Sequence, residues 1–397
     1  MNGKRIIAVC VFLILAMFGV SYASPFPGGG GDDRPATIRV LLSDHREPFF
    51  LETRESFTLF DLNQGSRLGS RKNREGVVSV LRGGKIRWGN RLVVEGHLRL
   101  VPDQRESTLL VNGIQYRGNL DCYSIEDRLY VVNEVSVEDF LKSTLHYTYP
   151  ALATYPPKVR EALAIVERTH AYYLAHHSTS QPLWHIEAKA CHYQGVATAH
   201  PISEQSARNT RYLVMTYHSS LFPATSTENC AGKTASYAQI YRQQVPSPPG
   251  VHMDFSAKCR SQNRWDFYID SHKLALNAEM NRVTSIDCFV DPDSHKVYAV
   301  RLHDGVHSKD VGFQQLQEWL GKESLRSNDF AVKIRGDLIL FEGWGEGRGV
   351  GLSLYDAIQM ANEGQGMIPI LKDHFPNIEI KKMQSYRDHV PGIDVKN

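Results

Sequence analysis

Leu129-Tyr-Val-Val-Asn-Glu-Val-Ser-Val-Glu-Asp-Phe-Leu-Lys142 is the stretch from which the fold is read. Leu129 to Val132 is an apolar, partly β-branched run that suits a buried strand. Ser136 follows as a helix cap, and Glu138 and Asp139 put negative charge in the first turn, where unpaired backbone N–H groups favour it. A strand therefore hands over to a helix near residue 136. Downstream, the spacing predicts a helix from Pro156 to about His176. Pro157 suits its first turn, and Val159, Leu163, Val166, His170 and Leu174 form its buried stripe. Another helix is predicted from Leu354 to Glu363, ended by Gly364. Short strands and long loops lie between.

Upstream, Ile38, Val40 and Leu42 alternate with polar residues as a half-buried strand does. Further short runs at Val77–Val80, Leu92–Val94, Leu98–Val101 and Leu109–Val111 are separated by turn signals such as Gly83-Gly84 and Gly89-Asn90. Residues 36–118 read as a small β-rich accessory region without a reactive constellation, ahead of a main region over 119–383 and a tail over 384–397. Before them, Gly28 to Gly31 mark residues 24–35 as a flexible linker. Lys4 and Arg5, the uncharged run Ile6–Val20 and the small residues of Ser21-Tyr22-Ala23 read as a signal peptide over 1–23. The run is short for a membrane span, which needs roughly 20 residues. The expected location is the periplasm or cell envelope, with membrane association only if the segment is retained.

Cleavage removes two cations and no acid, taking the formal charge of the 397-residue chain from +2 to zero. That balance argues against nucleic-acid binding, which needs a basic footprint. With 42% hydrophobic and 22% charged residues the chain reads as globular. Five cysteines remain, Cys122, Cys191, Cys230, Cys259 and Cys288. An odd number leaves at least one thiol free, bound to metal or paired with another chain.

Three stretches in order resemble the SpoIID/LytB family of peptidoglycan-acting sporulation and amidase-enhancer proteins. Leu129 to Lys142 is similar to its signature N-E-V-P-L-E-D-Y-L-K. Arg160-Glu-Ala-Leu-Ala-Ile-Val-Glu-Arg-Thr-His-Ala-Tyr172 is similar to its helix E-A-L-K-A-Q-A-V-A-A-R-T-Y-A. Gly343-Trp-Gly-Glu-Gly-Arg-Gly-Val-Gly-Leu-Ser353 is similar to G-W-G-H-G-V-G-M-S. Asn229-Cys-Ala-Gly-Lys-Thr234 is a weaker match to a C-G-G-x-T loop. The resemblance spans about residues 116 to 381. It implies a mixed α+β, sheet-rich fold and binding to glycan strands. One branch implies lytic transglycosylase activity on strands stripped of stem peptides, and the other implies stimulation of an N-acetylmuramoyl-L-alanine amidase.

Lytic cleavage needs one carboxyl. It protonates the leaving oxygen, then takes the proton of the sugar's own 6-hydroxyl as the anhydro ring closes. Counting from the signature places Thr148 where the family keeps its glutamate, and a threonine cannot supply that proton. The family's histidine in the glycine loop falls at Glu346 or Arg348, which makes Glu346 the candidate replacement acid, set against a reading as an exposed loop carboxylate. Arg168 matches the family's helical arginine, either clamping a substrate carboxylate or pairing with a helix acid such as Glu161. Trp344 offers a flat face for a sugar, and its loop glycines permit close approach of backbone to ligand. Arg348, Lys142, His146 and Tyr237 complete the candidate substrate-binding set. The resemblance further implies a zinc question at His185, Cys191 and His192, three of the four ligands a structural zinc wants.

Overall fold

The computed structural model describes residues 36–90, 92–177 and 183–383. The expected signal peptide, the linker and the tail from 384 lie outside the described residues. The mixed α+β, sheet-rich class expected from the sequence is what the chain forms.

Thr37–His45 runs antiparallel to Arg128–Ser136, with Thr37 opposite Ser136, His45 opposite Leu129 and a bulge between Leu41 and Ser43. Beyond Arg128–Ser136 the sheet continues through Asn119–Ile125, His97–Pro102, Phe57–Asp61 and Ser66–Arg71, all antiparallel. On the other edge Ile186–Glu187 pairs in parallel with Val40 and Leu41. The alternation read at Ile38 and Val40 is real, since both side chains are fully buried. A second sheet, built from strands between Phe49 and Arg117, lies on the same continuous core through Leu51, Trp88 and Leu109. Residues 36–118 thus share a hydrogen-bond ladder and a core with the chain after 119. The apolar faces of these short strands are buried together with those of the next region, as strands with one apolar face require.

Ser136 caps helix α1, Val137–Thr148, accepting from the Asp139 N–H at 3.1 Å. Phe140, Leu141 and Leu145 bury its inner face. Helix α2, Pro157–His177, is buried on nearly every side, including Ala162, Leu163, Ala164, Ile165, Val166 and Tyr172. Only a few of its positions, among them Glu167, His170 and Leu174, are half-exposed.

A second core forms downstream. Phe330–Arg335, Leu338–Trp344 and Arg264–Asp270 make one small sheet. Ser285–Val290, Val297–His303 and Ser308–Gly312 make another. Helices Ser271–Ala278 and Phe313–Leu320 pack with them. Two exits from this core matter for the site. Leu338–Trp344 runs directly into the glycine loop, and Phe313–Leu320 runs into residues 321–326. The chain then returns to the first core through Leu354–Asn362, whose Leu354, Ala357 and Met360 are buried there.

All five described cysteines are free thiols. Among the described residues no helix is long and apolar enough to cross a membrane.

Candidate functional site

A cleft of about 540 Å³ opens where the two cores meet. Its walls come from segments far apart in sequence. Thr148 and Tyr149 end α1, Glu167 and His170 lie on α2, and Ala224 to Ser226 and Glu228 precede the Cys230 loop. Lys322, Glu323 and Arg326 come from the second core, and Glu346 to Arg348 from the glycine loop. The volume falls within the roughly 300–1,000 Å³ of ordinary ligand sites.

The glycine loop is locked against the 225–231 stretch. Asn229 and Glu346 exchange backbone hydrogen bonds of 3.0 and 2.9 Å. Thr227 Oγ1 donates to the Glu346 carbonyl at 3.0 Å and accepts from the Gly349 N–H at 3.1 Å. Gly351 has φ of +81°, and a Cβ there would lie 2.0 Å from the Thr225 carbonyl oxygen. At Gly347, with φ of +92°, a Cβ would meet the Glu228 carboxylate at 2.2 Å. The close approach these glycines allow is to the chain's own backbone and side chains, where the sequence suggested a ligand.

Glu167 is the sheltered carboxyl of the cleft. Tyr149 Oη donates to its Oε1 at 2.5 Å, and Ser226 Oγ is the other partner of Tyr149 Oη at 2.9 Å. Burial raises the Glu167 carboxyl above its ordinary range, and the Tyr149 hydrogen bond offsets part of that rise. Tyr149 is itself held well above a normal phenol, by burial first and by the Glu167 charge second. His170, three residues on and so on the same helix face, is pushed down to about 4 by burial. Its Nδ1 is buried without a hydrogen-bond partner. Arg348 Nη1 donates to Tyr241 Oη at 3.1 Å, with the guanidinium 5.6 Å from that ring. Tyr241 also borders the cleft.

Several expected site residues stand elsewhere. Arg168 is fully buried, and its bidentate partner is Glu138, with Nε–Oε1 at 2.8 Å and Nη2–Oε2 at 3.0 Å. Its remaining donors reach the carbonyls of Ala164, Ala207 and Leu213 and the Thr210 hydroxyl. Every donor has a partner within the chain, where the sequence suggested a substrate clamp as one alternative. Glu161 pairs instead with Lys158. Glu346 borders the cleft but is exposed and ion-paired to Arg326 at 3.0 Å. Trp344 does not border the cleft. The Arg260 guanidinium covers its ring at 4.6 Å.

Lys142 pairs with Asp139 at 2.8 Å, and His146 stacks on His200 with centroids 4.1 Å apart, both off the cleft. Tyr237 lines a neighbouring small cavity with Phe222 and Pro248 and stacks on Tyr241 at 4.1 Å. Burial pushes its phenol up to about 12.

The three proposed zinc ligands do not fit a metal. His185 has both ring nitrogens against Arg39, at 3.1 Å to the backbone N and 3.1–3.2 Å to the guanidinium. Burial, then Arg39, pushes it down to about 4. Cys191 Sγ faces the Glu187 and Ala188 carbonyls, and burial pushes its thiol up to about 12. His192 is exposed. Among the described residues no cluster of three His, Cys, Asp or Glu side chains is arranged to hold an ion.

The family model described as Stage II sporulation protein, SpoIID, matches residues 125–217, which hold α1, α2 and one wall of this cleft. Stage II sporulation protein D of Bacillus amyloliquefaciens is 33% identical over 81 residues, 20% of this chain and 23% of that protein. Residues 125–217 of the chain are thus similar to the SpoIID family. An uncharacterized protein of Brachyspira hyodysenteriae is 24% identical over 353 residues, 86% of this chain and 92% of its own length. An uncharacterized protein of Chlamydia muridarum is 33% identical over 159 residues, 40% of this chain and 54% of its own. The SpoIID match suggests a cell-wall-related role.

Tyr149, Glu167, His170, Glu228 and Tyr241 were missed by sequence reasoning. A signal for Glu167 was present. It lies four residues after Leu163 and three before His170, a carboxyl on the face read as the buried stripe.

Proposed function

We propose that this SpoIID-like protein binds peptidoglycan glycan strands in the cell envelope and cleaves them by lytic transglycosylation, acting on strands stripped of stem peptides. The observation that carries the reading is the cleft itself. It joins the end of α1 and the face of α2, both within the SpoIID match, to the glycine loop, and it holds a half-buried carboxyl beside exposed charged groups and a half-buried tyrosine. A polar glycan needs many hydrogen-bonding groups, and Arg326, Arg348, Glu228, Ser226 and the Tyr241 hydroxyl offer them along one wall or another.

The test is incubation of the full-length protein with purified peptide-free strands, followed by mass spectrometry of the ends and by co-sedimentation. Anhydro-muramic ends together with sedimentation support the reading. Sedimentation without new ends replaces it with the second reading, a non-catalytic strand binder that recruits or enhances an amidase. Thr148, at the place of the family's glutamate, favours that second reading.

A further inference from the structure

We propose that Glu167 is the acid–base carboxyl of this cleft, standing in on α2 for the carboxyl that position 148 lacks at the end of α1. The proposal rests on the strand-cleaving reading and names the residue that does its chemistry.

The geometry singles out one of four carboxyls. Glu167, Glu228, Glu323 and Glu346 all border the cleft. Glu228 and Glu323 are exposed, and Glu346 is exposed and paired with Arg326. Burial is what favours the neutral, proton-donating form of a carboxyl. Glu167 alone of the four is half-buried, and its carboxyl accepts from a neutral phenol, Tyr149 Oη at 2.5 Å. It also stands next to the vacated position. Tyr149 directly follows Thr148, and both border the same cavity as Glu167. A sugar that touches position 148 is therefore one residue from the side chain that holds this carboxyl. The carboxyl sits above its ordinary range, so it carries its proton nearer neutrality than an exposed glutamate does.

The chemistry balances with this one group. The Glu167 carboxylic acid gives its proton to the bridging oxygen, and the bond from muramic C1 to that oxygen breaks. The muramic 6-hydroxyl oxygen bonds to C1, and its proton passes to the Glu167 carboxylate. The carboxyl is restored, an anhydro ring closes, and no water is consumed. Tyr149, fixed from behind by Ser226, is a positioning residue that sets the orientation and acidity of Glu167.

Glu167→Gln keeps an acceptor for Tyr149 and removes the proton. In the full-length protein it should lower release of anhydro ends on the order of a hundredfold or more, with co-sedimentation and melting temperature retained. Release at the wild-type rate overturns the proposal and leaves the strand-cleaving reading standing. Absence of anhydro ends from wild type overturns both. If Glu167→Gln is poorly folded, Tyr149→Phe decides. Loss of the hydrogen bond raises the Glu167 pKa, so the alkaline limb of the pH–rate profile should move to higher pH. A limb that stays in place, with activity merely reduced at every pH, overturns the assignment.

Discussion

Truncating Arg168 separates a structural arginine from a substrate clamp. The side chain is fully buried and bidentate to Glu138, and its other donors reach three carbonyls and one hydroxyl. Arg168→Met fills much of the volume but leaves the Glu138 carboxylate partly buried without its cation. Removing one member of a buried pair costs about 3–5 kcal/mol. In a chain of this size that moves the melting temperature on the order of 10 °C. Glu138→Gln strands the opposite charge and should cost a comparable amount. The double variant should cost less than the two singles together, because neither charge then remains unpaired. Urea titration of the three variants gives the stabilities, and co-sedimentation with peptide-free strands, corrected for folded fraction, gives binding. An Arg168→Met protein within about 0.5 kcal/mol of wild type that no longer binds strands would refute the structural reading and return Arg168 to the ligand.

Gly351→Ala should destabilise by about 1–3 kcal/mol or more, since φ is +81° and a Cβ would meet the Thr225 carbonyl at 2.0 Å; a melting curve unchanged from wild type contradicts the interlocked loops. Tyr241→Ala should weaken strand sedimentation by about 1–3 kcal/mol, whereas Trp344→Ala, capped by Arg260 outside the cleft, should leave it unchanged. The reverse order would return the tryptophan to the site. His170 binds its proton in the folded protein only near pH 4, against 6.5 when unfolded. The unfolded chain therefore takes up more protons between these values, so stability is full above pH 6.5 and falls as pH drops toward 4. Urea midpoints across that window should fall less steeply in His170→Asn, and an unaltered slope would count against a neutral imidazole there.

Local signals were legible where they are self-contained. Ser136 caps α1 as read, because a cap is decided within one turn by the Ser136 oxygen and the Asp139 N–H. The helix read from Pro156 to about His176 runs over Pro157–His177, and that read from Leu354 to Glu363 runs over Leu354–Asn362. What the sequence hid depends on partners distant along the chain. Arg168 looked equally like a clamp or a helix-face ion pair, since its partner Glu138 lies 30 residues away on another helix. The alternating glycines promised a ligand because nothing in their spacing reveals that residues 225–231 occupy the space beside them. Glu167 escaped notice because the motif match directs attention to position 148, and only the meeting of α1 with α2 shows that both positions border one cavity.

The central claim, that this cleft cleaves glycan strands without water, is tested most directly by digesting peptide-free strands with the full-length protein in water enriched in heavy oxygen. Mass spectrometry of the new ends then reads the mechanism. The account predicts anhydro-muramic ends that carry no heavy oxygen, since the sugar's own 6-hydroxyl closes the ring. New reducing ends that carry the label would mean hydrolysis, and no new ends would mean no cleavage. Either result would contradict it.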